Sequence, residues 1–447
     1  MWIYQVGRRW LSESSWWSPG QPILRPRLAH KTYSRMVSAG IARAMIGGQS
    51  GRQLIGCQSV THGTHQADLN YDQRKTQSDW SEGSPGSRSF RASEAGTPLV
   101  EFRHNIEIMH GYVPGEQPVP GSGVVKLNTN ENPYPPSPEV TKALASLDGE
   151  SLRNYPDPTA LASREAAASV YGVPADWIMT VNGSDELLAL LARALLEPGR
   201  KVAYPVPTYS LYATLAEMQD ASIVEVLYDE RFNLPLEELL AAQADLTFVC
   251  SPNNPSGTVA PLSDLKVLAA GLRGVLAVDE AYADFADENA LALVKEHANV
   301  IILRTLSKSY SLAGLRLGFG IAAPELLAGL SKIKDSYNID SVAIRLAVVA
   351  LNDQTWMRAN VERIKTCRTE IMRSLEGMGF RVWPSQANFV LARPPGGDAR
   401  RLYLKLRDQR IFVRHLDLPG LDDKLRISVG TEKQQQALIE ALEGLVP

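Results

Sequence analysis

The sequence contains little cysteine. Its 447 residues include three cysteines, Cys57, Cys250 and Cys367, which lie far apart along the chain. An odd number at such separations fits neither a disulfide framework nor a zinc site and is typical of a reducing compartment. The histidines show no metal-ligand spacing, so no metal is expected. We therefore expect a cytoplasmic protein without structural disulfides.

Two further features are missing from the sequence. It has no uncharged apolar run of membrane-spanning length, so no membrane crossing is expected. The formal net charge of −3 supplies no large positive field for phosphate backbones, which argues against a nucleic-acid partner. A content of 44% hydrophobic and 21% charged residues is that of a globular protein, and the length suffices for two or three domains.

The N-terminal region differs in composition from the rest of the chain. Residues 1–65 hold seven arginines and one lysine against a single acid, Glu13, and residues 66–97 are polar and rich in serine and glycine. Such a stretch buries too little apolar surface to offset its ordering entropy, so residues 1–105 are predicted to be a disordered extension. An Arg-rich, acid-poor start fits an organelle transit peptide, but scattered tryptophans without helical period favour a later translation start.

After residue 105, short apolar runs alternate with helical patterns. Residues 106–150 are predicted to form an N-terminal arm, extended and punctuated by proline, and a first helix. In residues 151–350, near-continuous apolar runs separated by helices indicate a large α/β domain with a mostly parallel sheet covered by helices on both faces. Residues 351–447 carry a helix, alternating strands and a closing helix, the pattern of a smaller α+β domain.

Polar residues follow four of the apolar runs. Ligands of α/β sheets bind beyond the carboxyl ends of the strands, so these residues are predicted to converge. Each motif alone has an ordinary explanation: an N-cap, a proline turn, a buried salt bridge or a solvated lysine. All four together indicate one site. The motifs are NGSDE (182–186), SPNNPSG (251–257), DEAYADF (279–285) and RTLSKSYSLAGLRLG (304–318).

The last two motifs carry side chains suited to a Schiff base, to a phosphate ester and to a cationic partner. Lys308, at a partly desolvated strand end, would have a lowered pKa and a free amine able to form a Schiff base. Thr305, Ser307 and Arg316 offer the hydroxyl donors and forked guanidinium that a phosphate ester requires. Asp279, at the end of an apolar strand, needs a cationic partner, which either a pyridinium nitrogen or a nearby basic side chain can supply.

These motifs resemble those of fold-type I aminotransferases that depend on pyridoxal phosphate. SKSYSLAGLRLG resembles their lysine signature, SPNNPSG their asparagine–proline turn with Ser251 and Ser256 as departures, and DEAY their aspartate–tyrosine pair. The order and spacing match over residues 106–447. HGYVPGEQP (110–118), RNYPDP (153–158) and LRISVGT (425–431) are most similar to the histidinol-phosphate aminotransferases, although aromatic and phosphothreonine-using relatives share much of this pattern.

The resemblance implies a role for each site residue. Lys308 would form the Schiff base with pyridoxal 5′-phosphate and transfer the substrate proton, while Asp279 would pair with the pyridinium nitrogen. Asp185 would contribute through its backbone, and Tyr155 would reach the neighbouring subunit of a homodimer with shared active sites. The other implied cofactor ligands are Ser184, Tyr209, Asn254, Tyr282, Thr305, Ser307 and Arg316.

The resemblance also implies the substrates. Arg426 and Arg414 would bind the phosphate of L-histidinol phosphate or the carboxylates of glutamate and 2-oxoglutarate, and Tyr134 would close over the imidazole. The products would be imidazole-acetol phosphate and L-glutamate, in histidine biosynthesis. A solvated Arg414 remains an alternative. An aromatic aminotransferase, a threonine-phosphate decarboxylase and a non-catalytic regulator are the rival functions, and the lack of a helix–turn–helix pattern in residues 1–105 counts against the regulator.

Overall fold

The computed structural model describes residues 100–111, 115–119 and 121–446. The disordered extension predicted for residues 1–105 therefore lies outside the described residues, except for its last six positions. In the part of the chain that is described, no helix combines the length and apolar content needed to span a membrane.

The arm packs against the C-terminal part of the protein. Its Leu127 lies in the core of the C-terminal part with Val390 and Ile427, and its short strand pairs in parallel with residues 411–412. Its first long helix begins at the N-cap Ser137, whose hydroxyl accepts a hydrogen bond from the Glu139 amide. The arm comprises α1 (His104–Ile108), β1 (Val125–Lys126), α2 (Pro138–Ala145) and α3 (Gly149–Leu152).

A seven-stranded sheet forms the centre of the large domain, with the spatial order β2-β8-β7-β6-β5-β3-β4. Neighbouring strands are parallel except β8, which runs antiparallel to both β2 and β7. The strands are β2 (Ile178–Val181), β3 (Lys201–Val206), β4 (Ser222–Leu227), β5 (Leu246–Cys250), β6 (Val275–Asp279), β7 (Val300–Thr305) and β8 (Gly318–Ala322).

Helices cover both faces of this sheet, so its central strands are buried along almost their whole length. In β7 every residue is buried; Ile302 packs in one core cluster, and its neighbours Ile301 and Leu303 pack in the other. The predicted α/β fold with a mostly parallel, doubly covered sheet is confirmed. The helices are α4 (Leu161–Tyr171), α5 (Gly183–Leu195), α6 (Leu211–Met218), α7 (Leu236–Ala242), α8 (Leu262–Gly271), α9 (Leu293–Glu296), α10 (Pro324–Ser331) and α11 (Ser341–Asn352).

The C-terminal part is an antiparallel sheet in the order β12-β13-β10-β9, packed against helices. α12 joins it to the large domain: its Val361 and Ile364 lie in the large-domain core, whereas Ile371 and Leu375 lie in the small-domain core. The elements are α12 (Gln354–Gly377), β9 (Arg381–Val382), β10 (Phe389–Arg393), α13 (Ala399–Asp408), β11 (Ile411–Phe412), β12 (Arg414–His415), β13 (Leu425–Ser428) and α14 (Glu432–Glu443).

Candidate active site

The carboxyl ends of the parallel strands open into a cavity of about 270 Å³. β6 ends there at Asp279 and β7 at Thr305, and segments of the arm and of the small domain complete the walls. The predicted site residues that line it are Ser184, Asp185, Tyr209, Asn254, Asp279, Tyr282, Thr305, Ser307, Lys308, Arg316, Arg414 and Arg426. Tyr134 and Tyr155 are the two that do not.

Lys308 follows β7 and reaches the arm, with its Nζ 3.4 Å from the carbonyl oxygen of Asn130. Burial lowers the pKa of Lys308 from its ordinary value to about 8, and the positive charge of Arg426 acts in the same direction. The side chain therefore carries a neutral, nucleophilic amine at mildly alkaline pH.

Asp279 ends β6 as a buried carboxyl group that lines the cavity. Its Oδ2 accepts a hydrogen bond from the Tyr212 hydroxyl at 2.9 Å, and its Oδ1 accepts one from the Ala281 amide at 3.2 Å. Burial raises the pKa of Asp279 to about 6, against the opposing effect of the Tyr212 hydrogen bond. The adjacent Glu280, not Asp279, makes the buried salt bridge, to Arg304 at 2.7 Å.

The start of α5 and the end of β7 together form a pocket suited to an anion. The Thr305 hydroxyl lies 2.9 Å from Ser307 Oγ, and Arg316 Nη1 lies 3.4 Å from the same Ser307 oxygen. Ser184 stands in the first turn of α5, where backbone N–H groups point out of the helix. Asp185, expected to contribute its backbone alone, also pairs through its carboxylate with Arg316 Nη2 at 3.1 Å.

Gly183 allows this pocket to form. Its φ of +73° is in the left-handed region, and a Cβ at this position would lie 2.6 Å from Arg316 Nη2. Glycine is the residue that permits both the backbone conformation and the close approach of the guanidinium.

A network of amide and hydroxyl groups lies beside Lys308. Asn130 of the arm donates from Nδ2 to the Tyr282 hydroxyl at 3.1 Å, and its backbone carbonyl accepts from Asn388 Nδ2 at 3.0 Å. Asn254 Oδ1 accepts from Arg426 Nη1 at 2.8 Å, which leaves the amide nitrogen as the remaining donor of that side chain. Tyr209 donates to Asp185 Oδ1 at 3.3 Å.

Two arginines stand side by side at the small-domain wall. Arg414 of β12 is the direct cross-strand partner of Arg426 of β13, so both side chains leave the same face of the sheet. Like charges in such a pair repel each other unless an anion or acceptor lies between them. Arg426 Nη2 donates to the Asn128 carbonyl at 2.8 Å, and an added Cβ on Gly115 of the arm would lie 3.3 Å from Arg414 Nη1.

The structure corrects the prediction for Tyr134. Its side chain is only 6% exposed and lies in the large-domain core, away from the cavity. The guanidinium carbon of Arg363 sits 3.6 Å from the ring centroid, and the hydroxyl donates to Glu432 at 3.3 Å. The ring packs inward where the arm crosses α12 and α14, and these contacts anchor the arm to both helices.

Tyr155 is placed outside the cavity of its own subunit. It is 82% exposed, and its ring stacks on Tyr337 with centroids 4.6 Å apart. Its predicted contribution to a neighbouring subunit remains a prediction.

Two groups of cavity residues were not predicted from the sequence: Asn128 and Asn130 in the arm, and an apolar wall from the 416–421 segment. Tyr212, which was also not predicted, lies behind the cavity lining and donates to Asp279. Tyr212 follows Tyr209 by three positions, a spacing that places both near one end of α6. The apolar wall consists of Leu416, Leu418 and Leu421, which carry no sequence signal beyond ordinary hydrophobicity.

Residues 122–442 match the family described as aminotransferase class I and II. The chain is 55% identical over 345 residues to histidinol-phosphate aminotransferase 1 of Trichormus variabilis, which covers 77% of this chain and 99% of that protein. It is 45% identical over 353 residues to the histidinol-phosphate aminotransferase of Geobacter sulfurreducens, covering 77% and 99% respectively.

A solved structure agrees with these relatives. The histidinol-phosphate aminotransferase of Sinorhizobium meliloti, in complex with pyridoxal-5′-phosphate, matches with a TM-score of 0.72 and 27% identity, over 79% of this chain and 99% of that one. The fold and the site thus define a class I and II aminotransferase, the family to which this chain belongs. Within it, the chain groups with the histidinol-phosphate aminotransferases, as the sequence motifs predicted.

Proposed function

We infer that the protein is a pyridoxal-phosphate-dependent aminotransferase that converts L-histidinol phosphate and 2-oxoglutarate into imidazole-acetol phosphate and L-glutamate, a reaction of histidine biosynthesis. The observation that carries this inference is one cavity that joins Lys308, Asp279 and Arg316 to the paired arginines of β12 and β13. The relatives named histidinol-phosphate aminotransferase, at 55% and 45% identity, support the same reaction.

The residues present fit the cofactor. Asp279 is a buried acid with two neutral donors and a raised pKa, so a cationic ring nitrogen would satisfy its charge. Gly183 leaves room for Arg316 beside the N-terminus of α5. Thr305 and Ser307, at the end of β7, add the hydroxyl groups that a dianionic phosphate requires. When bound, pyridoxal phosphate supplies an aldehyde carbon that accepts the amino group and a ring that delocalises negative charge.

The protein contributes proton transfer and orientation. With the cofactor bound, Lys308, as a neutral amine, would take the proton from the substrate Cα and pass it to the carbon that had carried the aldehyde, and the second half-reaction would run this transfer in reverse. Asp279 would hold the proton at the ring nitrogen. Asn254 and Tyr282 would donate to the ring hydroxyl oxygen, and Tyr209 would pack on the face of the ring.

Substrate selection is assigned to the paired arginines. Histidinol phosphate lacks a carboxylate and carries a phosphate, whereas glutamate carries two carboxylates, and a guanidinium fork can bind either anion. Arg426 is anchored by Asn254 and by the Asn128 carbonyl, so its position is set before substrate arrives. Arg414 adds a second positive charge on the same face of the sheet.

We also propose a homodimer with shared active sites, in which Tyr155 reaches the cofactor phosphate of the neighbouring subunit. The support is the exposed position of Tyr155 outside its own cavity and its stacking on Tyr337, which holds the ring at the surface. The two buried free thiols of Cys250 and Cys367 support a reducing, cytoplasmic compartment.

Steady-state kinetics of the purified holoenzyme on three amino donors tests the reaction. We expect the highest kcat/KM with histidinol phosphate, because Arg414 and Arg426 together suit a phosphate dianion. A preference for phenylalanine would instead identify an aromatic aminotransferase. Release of carbon dioxide from threonine phosphate would identify a decarboxylase on the same scaffold.

A further inference from the structure

Tyr212 is a fully buried tyrosine whose hydroxyl is directed at the acid of the active site. Its ring stacks on Phe248 with centroids 4.6 Å apart, and it meets Tyr209 edge-on at 5.7 Å. Packing on two sides fixes the ring, so the hydroxyl has one available direction. In that direction lies Asp279 Oδ2, at 2.9 Å.

The phenol is held in the donor state. Burial and the negative charge of Asp279 both raise the pKa of Tyr212 well above its ordinary value, so its proton stays on the phenol oxygen at any working pH. A hydrogen bond from a neutral donor to a carboxylate stabilises the charged form of the acid and makes it a weaker base.

The other groups around Asp279 act in both directions. Burial and the negative charge of Asp185 on α5 raise the pKa of Asp279, while the charge of Lys308 and the Ala281 amide lower it. Cys250 on β5 and Tyr282 after β6 have raised pKa values, chiefly through burial, and are neutral. Among the described neighbours, Tyr212 is therefore the side chain whose hydrogen bond opposes the effect of burial on the pKa of Asp279.

We propose that Tyr212 is a positioning residue that keeps Asp279 ionised and oriented, so that the shared proton stays on the ring nitrogen of the bound cofactor. This inference rests on the proposed cofactor. Without the phenol donor, Asp279 would be a stronger base than it is with the hydrogen bond. The proton would then move from the ring nitrogen towards the carboxylate. A neutral ring withdraws electrons less well, so removal of the substrate Cα proton would be slower.

Tyr212→Phe removes one oxygen and preserves the ring packing, and the chain offers a matched control. Tyr204 is a buried tyrosine whose ring centroid lies 5.9 Å from that of Tyr212. Its hydroxyl donates to the carboxylate of Glu225 at 3.2 Å, outside the cavity. Tyr204→Phe therefore deletes the same kind of bond from the same aromatic cluster without touching Asp279.

The measurement is the ¹⁵N NMR resonance of ring-labelled pyridoxal phosphate in the two holoenzyme variants and the wild type. In Tyr212→Phe we expect the resonance to move towards that of the unprotonated ring and kcat to fall about tenfold or more, with KM nearly unchanged. In the cofactor-free protein, carboxyl ¹³C titration should give a higher pKa for Asp279. Tyr204→Phe should match the wild type in all three measurements.

An unchanged ¹⁵N resonance in Tyr212→Phe, or an equal change in Tyr204→Phe, would overturn the inference. If Tyr212→Phe does not fold, 3-fluorotyrosine at position 212 provides a stronger donor of similar size. It should lower the pKa of Asp279, and no change would equally overturn the inference. Absence of histidinol-phosphate turnover in the wild type, with the ¹⁵N difference present, would contradict the proposed substrate and leave the role of Tyr212 standing.

Discussion

At the scale of single residues, burial explains why Lys308 can react as a neutral amine. The side chain sits between β7 and the arm carbonyl of Asn130, and its lowered pKa follows from that position. Lys308→Ala should abolish the absorbance of enzyme-bound cofactor that depends on a lysine linkage and slow transamination by orders of magnitude.

Lys334→Ala is the matched control for this substitution. Lys334 also has its pKa lowered, mainly by burial, and donates to backbone carbonyls, but it lies outside the active-site cavity. We expect its absorbance spectrum to match that of the wild type. A Lys308→Ala protein with the wild-type spectrum would refute the assignment of the reactive lysine.

The same burial predicts how cofactor capture depends on pH. Because burial lowers the pKa of Lys308 to about 8, the fraction of neutral amine grows as pH rises and levels off above that value. The rate at which cofactor-free enzyme captures pyridoxal phosphate, followed by stopped-flow absorbance, should rise about tenfold per pH unit below this point and then become constant. A midpoint at the ordinary lysine value of 10.5 would contradict the desolvation argument.

Arg426 is the residue whose removal should affect both substrates. It is fixed by two hydrogen bonds at 2.8 Å and faces the cavity beside Arg414. Arg426→Leu should raise KM for histidinol phosphate and for glutamate by about tenfold or more, since each loses a charge-assisted hydrogen bond. Arg400→Leu is the control, because Arg400 lies on α13 and is not one of the residues that line the cavity. If only one substrate is affected, the shared use of this arginine is wrong.

The sequence predicted the cavity residues that follow strands, because strand ends and their polar successors can be recognised locally. It missed Tyr212, whose target, Asp279, lies 67 positions away along the chain. It misplaced Tyr134, since the direction of that ring depends on how the arm crosses α12 and α14, a contact between residues about 230 and 300 positions apart. Such contacts are decided by tertiary packing and leave no local pattern.

At the scale of secondary-structure elements, the sequence predicted which segments are strands better than it predicted their direction. The apolar run of β8 resembles that of its neighbours, yet β8 is antiparallel to both β2 and β7. A strand buried on both faces is apolar in either direction, so composition cannot distinguish the two cases. The two-residue β1 carries no periodicity at all and is defined by its pairing with β11.

A buried ion network ties β7 to the segment that follows β6. Arg304 of β7 pairs with Glu280 at 2.7 Å and with Asp284 at 3.1 Å, and Asp284 also accepts a hydrogen bond from Ser309, next to Lys308. Arg304→Met would leave Glu280 buried without its partner, which destabilises a protein by about 3–5 kcal/mol. Urea unfolding of the cofactor-free protein should show this loss. Arg400→Met, which removes an exposed charge, should leave the unfolding midpoint nearly unchanged.

At the scale of the whole molecule, the proposed dimer makes a prediction that a monomer cannot satisfy. If each site takes Lys308 from one subunit and Tyr155 from the other, a mixed dimer of Lys308→Ala and Tyr155→Ala subunits has one doubly altered site and one native site. Each variant alone should be weakly active. Refolding an equal mixture should restore about a quarter of wild-type activity, because half of the dimers are mixed and each has one native site of two.

A mixture of Lys308→Ala and Tyr337→Ala subunits is a second test. Tyr337 supports the Tyr155 ring in its own subunit, so the mixed dimer again keeps one native site. Activity of the first mixture that merely equals the average of its components would show that Tyr155 serves its own subunit or none.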